Sequence, residues 1–304
     1  MFEGSEKKVE IIVDGSLGSL RAPGMPWQQV VARASAAILS QVSNDLCDAY
    51  LLSESSLFVY DRAVVMITCG TTSLASAIEE MMTFLPCAAI RMLMYERKNE
   101  IFPDQQPTSF DQDVAWLHRC LGGGDSLILG DPSGNHVRLF HYSNQFTARP
   151  DDMTLEILMH DLDPSVRRNF AYNKDTRQIR DATGIDQIFP EFVLDDYAFQ
   201  PLGYSCNGIF GREYYTSHVT PEDECSFASF ETNHMFHEDL SLTVERVLDV
   251  FRPQSTSVMV FHNHGLSIEK PTGYLLARER RASRAGYNIC LKNFEREGGH
   301  HAAT

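Results

Sequence analysis

Short apolar segments of strand length recur in two halves of the chain, and this pattern constrains its fold more than any other feature. In the first half, residues 57–60 and 64–68 predict a hairpin, and "TTSLASAIEEMMTFL" predicts a threonine-capped helix after it. In the second half, "YSCNGIFGREYYTSHVTP" predicts a hairpin, "CSFASFETN" a strand, and "HEDLSLTVERVLDVF" a helix that ends at Pro253. Because no long linker separates the halves, we predict an α+β fold with mostly antiparallel sheet, built from related halves at residues 1–145 and 146–294.

Periodicity predicts several further elements of this single domain, which spans residues 1–304. A first strand is expected at Val9–Val13, and a helix beginning near Pro26 carries an apolar face that runs as far as Ile38. "LILG", "VRLFHY" and "STSVMVFHN" predict strands, whereas "TLEILMHDLD" predicts a helix. The tail, residues 295–304, is predicted to be disordered.

Composition excludes several classes of protein. Hydrophobic residues make up 43% of the chain and charged residues 22%, which is ordinary for a globular protein. The net charge of -15 argues against nucleic acid as a partner, because nothing would offset repulsion from its phosphates. No apolar run approaches the ~18 residues of a membrane span, and the charged N-terminus lacks the apolar core of a signal peptide.

Familiar cofactor motifs are missing from the sequence. The seven cysteines are scattered and form no CxxC pair, which is typical of reduced thiols in the cytoplasm. His262 and His264 form an H-x-H, but no third ligand is evident nearby, so no metal is predicted. The glycines of "LGGGDS" lack the context of a nucleotide-binding loop, and no GxSxG elbow is present.

Three segments are difficult to explain by packing alone. In "YLLSESSLFVY", four polar residues interrupt a strand-like pattern, and Cys69 follows Ser55 at a hairpin's distance. In "GYSCNG", Ser205 is separated from His218 by a similar length, which a second hairpin would close. "FEGSE" places two carboxylates at the start of the chain. Each segment taken singly is also typical of polar turns, buried thiols and surface carboxylates.

Taken together, these segments resemble the eukaryotic S-adenosylmethionine decarboxylases, and the protist members in particular. That family depends on a pyruvoyl group, folds as a four-layer αββα sandwich of two antiparallel sheets, and makes decarboxylated S-adenosylmethionine, the aminopropyl donor for spermidine and spermine synthesis. The match runs from residue 2 to residue 233 in the family's order and spacing. The matching stretches are "FEGSEK", "YLLSESSLFV", "TCGTT", "TLEILM", "LDP", "PLGYSCNG", "HVTPE" and "SFASFETN".

The resemblance implies that the chain makes its own cofactor by cutting itself between Glu54 and Ser55. The Ser55 hydroxyl would attack the preceding carbonyl and exchange the amide for an ester. Beta-elimination and hydrolysis would then leave a pyruvoyl group, with neither a metal nor pyridoxal phosphate. His218 matches the family's base for this elimination. Ser205 and Glu6 match residues that assist processing.

The resemblance also assigns residues to decarboxylation. The pyruvoyl group derived from Ser55 would form a Schiff base with the substrate amine and withdraw electrons as carbon dioxide leaves. Cys69 matches the residue that returns a proton to the substrate carbon. The expected substrate contacts are the aromatic pair Phe2 and Phe199 around adenine, Glu222 on the ribose hydroxyls, and Glu3, Leu52 and Glu54.

The departures from the family concern regulation. Animal members bind putrescine in a buried acidic cavity, of which Glu10 and Glu231 match here. The cavity's lysine becomes Ile67, and its aspartate, threonine and glutamate become Gln178, Arg180 and Ala182. We therefore expect Arg180 to replace part of the diamine's charge, which would weaken or alter the putrescine response.

Two other functions are considered besides decarboxylation. A catalytically weak paralogue that activates a partner subunit should have lost processing residues, whereas Ser55, Cys69, Ser205 and His218 are all present. A non-catalytic adenosyl-binding module would not need Ser55. Assembly also stays open at this point, because the family includes monomers, homodimers and heterodimers with a paralogue.

Overall fold

The computed structural model describes residues 6–100, 103–131, 134–170, 174–223, 225–234, 240–263, 267–284 and 286–298. They divide into two compact units. The first contains the described residues up to Ala148, with Ile209–Arg212 and Arg284–Gly286, and the second contains the remainder.

One antiparallel sheet of eight strands is built from the first part of the chain. Its helices pack against one face, where Val9, Ile11 and Met66 meet Leu74 and Ile78 in a buried cluster. The helices are α1 (Trp27–Arg33), α2 (Leu74–Met81) and α3 (Phe110–Leu121). The strands are β1 (Glu6–Val13), β2 (Ile38–Ser43), β3 (Asp48–Leu52), β4 (Ser55–Val59), β5 (Ala63–Cys69), β6 (Ile90–Lys98), β7 (Asp125–Gly130) and β8 (His136–Ser143).

A second antiparallel sheet of eight strands is built from the rest of the chain. Leu155, Ile157 and Val260 pack with Val244 and Phe251 in its buried core. The helices are α4 (Pro164–Arg167), α5 (Thr176–Thr183) and α6 (Leu240–Phe251). The strands are β9 (Met153–Leu162), β10 (Val193–Ala198), β11 (Tyr204–Phe210), β12 (Glu213–Thr220), β13 (Phe227–Thr232), β14 (Pro253–His262), β15 (Tyr274–Arg284) and β16 (Tyr287–Arg296).

The two sheets share a single topology. The strand order is β2-β3-β4-β5-β1-β6-β8-β7 in the first sheet and β10-β11-β12-β13-β9-β14-β16-β15 in the second. Adding eight to each strand number of the first order reproduces the second. The predicted internal duplication and the α+β class with antiparallel sheets are therefore confirmed. The β3–β4 hairpin of the first sheet is the counterpart of the β11–β12 hairpin of the second.

The structure corrects one predicted element outright. The segment "TLEILMHDLD" is not a helix but strand β9, which lies between β13 and β14 in the second sheet. Leu155, Ile157 and Met159 alternate on one face, as a strand requires, while Leu158 is buried on the other face. Leu158 lies between Glu156 and His160 on that second face and interrupts the alternation of apolar and polar residues, and this is why the sequence resembled a helix.

Smaller corrections concern where elements begin and end. Helix α1 ends at Arg33, because Ser35 adopts a left-handed φ of 63°, and Ile38 begins the next strand. Ser73, not a threonine, caps α2, since the Thr72 hydroxyl donates instead to the Cys69 carbonyl at 2.7 Å. Strand β16 continues to Arg296, two residues into the segment predicted to be a disordered tail. Among the described residues, the helices are too short or too polar to cross a membrane.

Candidate active site

The polar interruption in "YLLSESSLFVY" is the turn of a tight hairpin. Ser53 and Glu54 are the two turn residues, and Leu52 pairs with Ser55 as the last pair of strands β3 and β4. Strand β4 then pairs with β5, which places Thr68 opposite Ser55 and Cys69 next to the turn. The predicted return of Cys69 to the vicinity of Ser55 is confirmed.

Ser55 is in an unusual conformation for its residue type. Its φ of 135° lies in a region that side chains other than glycine rarely adopt. The residue is 1% exposed, and its hydroxyl has no hydrogen-bond partner among the described residues. A buried hydroxyl without a partner costs about 1–3 kcal/mol, and so does a backbone held in such a region. Costs of this kind persist where a side chain has a chemical task.

The peptide carbonyl before Ser55 is held by Cys69. The Glu54 carbonyl oxygen accepts from the Cys69 backbone N–H at 3.2 Å, and the Cys69 thiol lies 3.5 Å from the same oxygen. Both donors point at the atom that would become negatively charged if a nucleophile attacked this carbonyl. Donors fixed in this way stabilise a developing oxyanion.

The Cys69 thiol keeps its proton at neutral pH. Burial raises the pKa of this thiol, and the carboxylates of Glu54 and Glu6 raise it further, against a smaller opposing effect of Lys7. Burial also raises the pKa of the Glu54 carboxyl. A thiol that stays protonated can act as a hydrogen-bond donor and as an acid, but not as a nucleophile.

Two buried lysines, Lys7 and Lys98, lie near Cys69 in the first sheet and make polar contacts there. Glu6 pairs with Cys69 on one side and with Lys98 on the other, and its carboxylate accepts from Lys98 Nζ at 3.0 Å. Both partners are at most 2% exposed. Lys7 donates to the Gly70 carbonyl at 2.7 Å and to Gln106, which fixes the loop directly after Cys69. Removing one partner of such a buried ion pair typically costs about 3–5 kcal/mol.

The second unit brings Ser205 and His218 together, as predicted. Ser205 lies on β11 and His218 on β12, with 2.9 Å between Ser205 Oγ and His218 Nδ1. The other ring nitrogen, Nε2, lies 2.9 Å from Thr216 Oγ1, which donates to the Cys206 carbonyl at 3.0 Å. All of these side chains are buried. The hairpin therefore holds the imidazole between two hydroxyl groups.

Among the predicted substrate contacts that can be described, Leu52 and Glu54 lie at the β3–β4 turn of the first unit, whereas Phe199 and Glu222 lie in the second. Phe199 is partly exposed, in the turn after β10, and packs edge-on against Tyr197 with 4.9 Å between ring centroids. Glu222 is partly exposed after β12, where its backbone carbonyl accepts from Arg167 at 3.1 Å. Phe2, Glu3 and His264 lie outside the described residues.

One of the matched putrescine residues, Glu231, belongs to a buried acidic pair in the second unit. Glu231 on β13 is directly opposite Glu156 on β9, and each is at most 2% exposed. Glu231 also accepts from the Tyr214 hydroxyl at 2.5 Å. Arg180, which the sequence predicted to replace part of the diamine's charge, is not a buried residue. Its side chain is 31% exposed and lies 3.5 Å from the Asp196 carboxylate.

Glu10 and Gln178 are more exposed than Glu231. Glu10 is partly buried on β1, and Gln178 is exposed in the first turn of α5. Gln178 completes a capping box with Asp175, so it has a structural role at that helix end.

Sequence reasoning missed Thr68, Lys98, Glu156 and Thr216. Their positions next to the predicted residues follow from strand pairing, which a single sequence does not reveal. Within the part of the chain that the structure describes, no three His, Cys, Asp or Glu side chains form a group that could hold a metal ion.

Comparison with known proteins places this arrangement in a family. The family model for adenosylmethionine decarboxylase matches residues 1–296. The S-adenosylmethionine decarboxylase proenzyme of Dictyostelium discoideum is 32% identical and aligns with 97% of this chain and 86% of its own length. The proenzyme of Leishmania donovani is 35% identical, over 90% of this chain and 75% of its own length.

A solved structure agrees with the sequence relatives. The crystal structure of the Trypanosoma brucei AdoMetDC-delta26 monomer matches with a TM-score of 0.63 and 26% identity. The match covers 80% of this chain and 99% of the trypanosome chain.

Proposed function

The chain belongs to the adenosylmethionine decarboxylase family, and on that premise we propose that it is a self-processing decarboxylase of S-adenosylmethionine. Its product is decarboxylated S-adenosylmethionine, the aminopropyl donor for spermidine and spermine. One observation carries the proposal. Ser55 is buried at a positive φ, with a hydroxyl that has no hydrogen-bond partner among the described residues, directly after a carbonyl held by Cys69.

Processing begins at the bond between Glu54 and Ser55. The Ser55 hydroxyl oxygen attacks the Glu54 carbonyl carbon, and the C–N bond breaks, so that an ester replaces the amide and Ser55 gains a free amino group. The Cys69 amide and thiol stabilise the negative charge on the Glu54 oxygen during this attack. The strained backbone at Ser55 favours the reaction, because breaking the amide releases the strain.

Elimination then separates the two fragments. We assign His218 as the base that removes the Ser55 α-proton, with Ser205 as its hydrogen-bond partner. The ester bond breaks, Glu54 leaves as a carboxylate, and the dehydroalanine that remains takes up water and loses ammonia to give the pyruvoyl group. Glu6, held by Lys98 beside Cys69, is assigned to the same site.

The residues around Ser55 fit a pyruvoyl group, because the position is buried and the Ser55 hydroxyl, which processing removes, has no hydrogen-bond partner among the described residues. When bound to substrate, this group supplies the electron sink for decarboxylation. The protonated Cys69 thiol returns a proton to the substrate carbon. Phe199 stacks on adenine and Glu222 accepts from the ribose hydroxyls. The remaining contacts proposed are Phe2, Glu3, Leu52 and Glu54.

A weak putrescine response is part of the proposal. Ile67, Arg180 and Ala182 replace polar or charged groups of the animal cavity, whereas Glu10 and Glu231 are retained. Saturating putrescine should change the decarboxylation rate by less than about twofold. A strong acceleration that Arg180→Ala leaves unchanged would contradict this proposal.

Location and assembly are proposed from the resemblance and the cysteines. All seven cysteines are free thiols, which supports a cytoplasmic protein. The family includes monomers as well as homodimers and heterodimers with a paralogue. Light scattering of the purified chain, alone and with such a paralogue, distinguishes the three.

The activity is tested by carbon dioxide release from S-adenosylmethionine labelled in its carboxyl group. The purified chain should release label, and Ser55→Ala should release none, because alanine offers no hydroxyl to start processing. Ser56→Ala is the matched control, since it removes the neighbouring buried hydroxyl and leaves Ser55 in place. Equal release by wild type and Ser55→Ala would contradict the proposal.

A further inference from the structure

A chain of hydrogen bonds fixes which ring nitrogen of His218 carries a proton. Thr216 Oγ1 donates to the Cys206 carbonyl at 3.0 Å and lies 2.9 Å from His218 Nε2. On the other side of the ring, Ser205 Oγ lies 2.9 Å from Nδ1. Thr216, His218 and Ser205 are 1%, 7% and 5% exposed, so these contacts are shielded from solvent.

The direction of each bond follows from the number of protons available. A hydroxyl group has one proton to donate, and a carbonyl oxygen can only accept. The Thr216 proton goes to the Cys206 carbonyl, so Thr216 can contact His218 only as an acceptor. Nε2 must therefore carry the proton of the neutral imidazole, and Nδ1 must carry the lone pair. The Ser205 hydroxyl completes the chain by donating to Nδ1.

We propose that Thr216 is a positioning residue for self-processing, an inference that rests on the proposed function. It holds His218 in the tautomer whose Nδ1 carries the lone pair, and this lone pair accepts the α-proton of Ser55 once the Ser205 hydroxyl has turned away from it. As Nδ1 takes that proton, the C–H electron pair forms the Cα–Cβ double bond, and the Cβ–O bond breaks to release the Glu54 carboxylate. The imidazolium keeps its Nε2–H bond to Thr216, so the ring stays oriented in both protonation states.

Thr216→Val separates this role from simple packing. Valine has nearly the same shape as threonine and suits a β-strand, so the variant keeps the volume of the side chain. It leaves His218 Nε2–H buried without the acceptor it has in the native protein. The ring then favours the other tautomer, in which Nδ1 carries the proton and donates to Ser205. That tautomer has no lone pair on the nitrogen that must accept the Ser55 proton.

The tautomer can be measured directly by nitrogen NMR. The sample is the full chain with Ser55→Ala, which cannot process, labelled with ¹⁵N-histidine and assigned by comparison with His218→Gln. We expect an unprotonated Nδ1 and a protonated Nε2 in this protein, and a shift towards protonated Nδ1 when Thr216→Val is added. A protonated Nδ1 in the presence of Thr216 would overturn the inference.

Processing kinetics test the consequence. Cleavage of newly synthesised chain is followed on gels from about pH 6 to 8, the range in which histidine titrates. Thr216→Val should slow processing about tenfold or more, and Thr216→Ser should restore it to within about threefold. Ser217→Ala is the matched control and should process like wild type, because its hydroxyl donates to the Ser229 carbonyl at 2.7 Å.

The two levels of the inference fail in different ways. If wild type cleaves normally and Thr216→Val cleaves at the same rate, or if Thr216→Ser is as slow as Thr216→Val, the role of Thr216 is wrong and the proposed function stands. If wild type does not cleave between Glu54 and Ser55, the proposed function itself is wrong.

Discussion

The β3–β4 and β11–β12 hairpins occupy equivalent places in the two sheets. Only the first of them places a positive φ on a residue other than glycine. The second hairpin turns through Gly211 and Arg212, and glycine takes the positive φ of 58°. The first turns through Ser53 and Glu54, and it is Ser55 that takes a positive φ, of 135°. The duplication therefore provides an internal control. The β11–β12 hairpin shows that a two-residue turn at this place in the topology does not require a strained serine.

The two hairpins also differ in how their polar groups are satisfied. The Ser55 hydroxyl has no hydrogen-bond partner within the described residues, whereas Ser205, His218 and Thr216 form a continuous hydrogen-bonded chain. In the proposed reaction Ser55 reacts once and is consumed, so an unfavourable conformation and an unpaired hydroxyl are tolerated there. His218, as the proposed base, must be present in one defined protonation state, and hydrogen bonds on both sides of its ring would fix that state. The predictions below test this contrast, beginning with the largest effect.

Ser55→Gly should abolish cleavage and relieve the strain. Its free energy of unfolding should exceed that of Ser55→Ala by about 1 kcal/mol, because glycine accepts the positive φ and alanine does not. Urea unfolding of the two uncleaved variants measures the difference. Gly211→Ala is the matched control in the other hairpin. Built on the Ser55→Ala chain, it should lower the free energy of unfolding by about 1 kcal/mol, because alanine resists the positive φ. No nearby atom outside the adjacent residues would clash with the added Cβ, so this backbone cost is the whole expected effect.

His218→Ala should stop processing at the ester. The first step does not need this base, so the chain should stay intact on a denaturing gel yet break into two fragments after treatment with hydroxylamine, which attacks esters far faster than amides. Ser55→Ala should resist the same treatment. Normal cleavage of His218→Ala without hydroxylamine would show that another group removes the α-proton.

Cys69→Ala should affect turnover far more than cleavage. Its backbone N–H still holds the Glu54 carbonyl, so two fragments should form, but kcat should fall about 100-fold because the proton donor is lost. Misplaced protonation should also convert the N-terminus of the large fragment to alanine, which mass spectrometry detects. Cys120→Ala, at a half-buried thiol on α3, should keep the wild-type kcat. A wild-type kcat in Cys69→Ala would exclude it as the donor.

The smallest effect concerns His160 on β9. Burial lowers the pKa of this imidazole to about 4, against an ordinary value near 6.5 in the unfolded chain. The unfolded state therefore binds the proton first, and stability should fall as pH drops from about 6.5 towards 4. On the Ser55→Ala chain, His160→Gln should flatten this dependence in urea unfolding. An unchanged slope would mean that His160 titrates alike in both states.

Local patterns in the sequence predicted much of the fold, whereas the roles of the reacting groups came from the family resemblance and stay predictions. The two hairpins and helix α6 were evident from period and turn residues, and hairpin length alone brought Cys69 to Ser55 and His218 to Ser205. The rest depends on which strands become neighbours. Lys98 reaches Glu6 through the pairing of β1 with β6, and β9 was mistaken for a helix because Leu158 interrupts the alternation on its second face. The φ of Ser55 is likewise a property of the assembled sheet.

The central claim is that Ser55 is a cofactor precursor, and intact mass spectrometry of the purified protein tests it most directly. The account predicts two fragments, residues 1–54 and 55–304, with the second lighter by the mass of one ammonia than the same fragment beginning with serine. Reduction with borohydride in the presence of S-adenosylmethionine should attach the substrate to that fragment. A single intact chain, or a large fragment beginning with unmodified serine, would contradict the account.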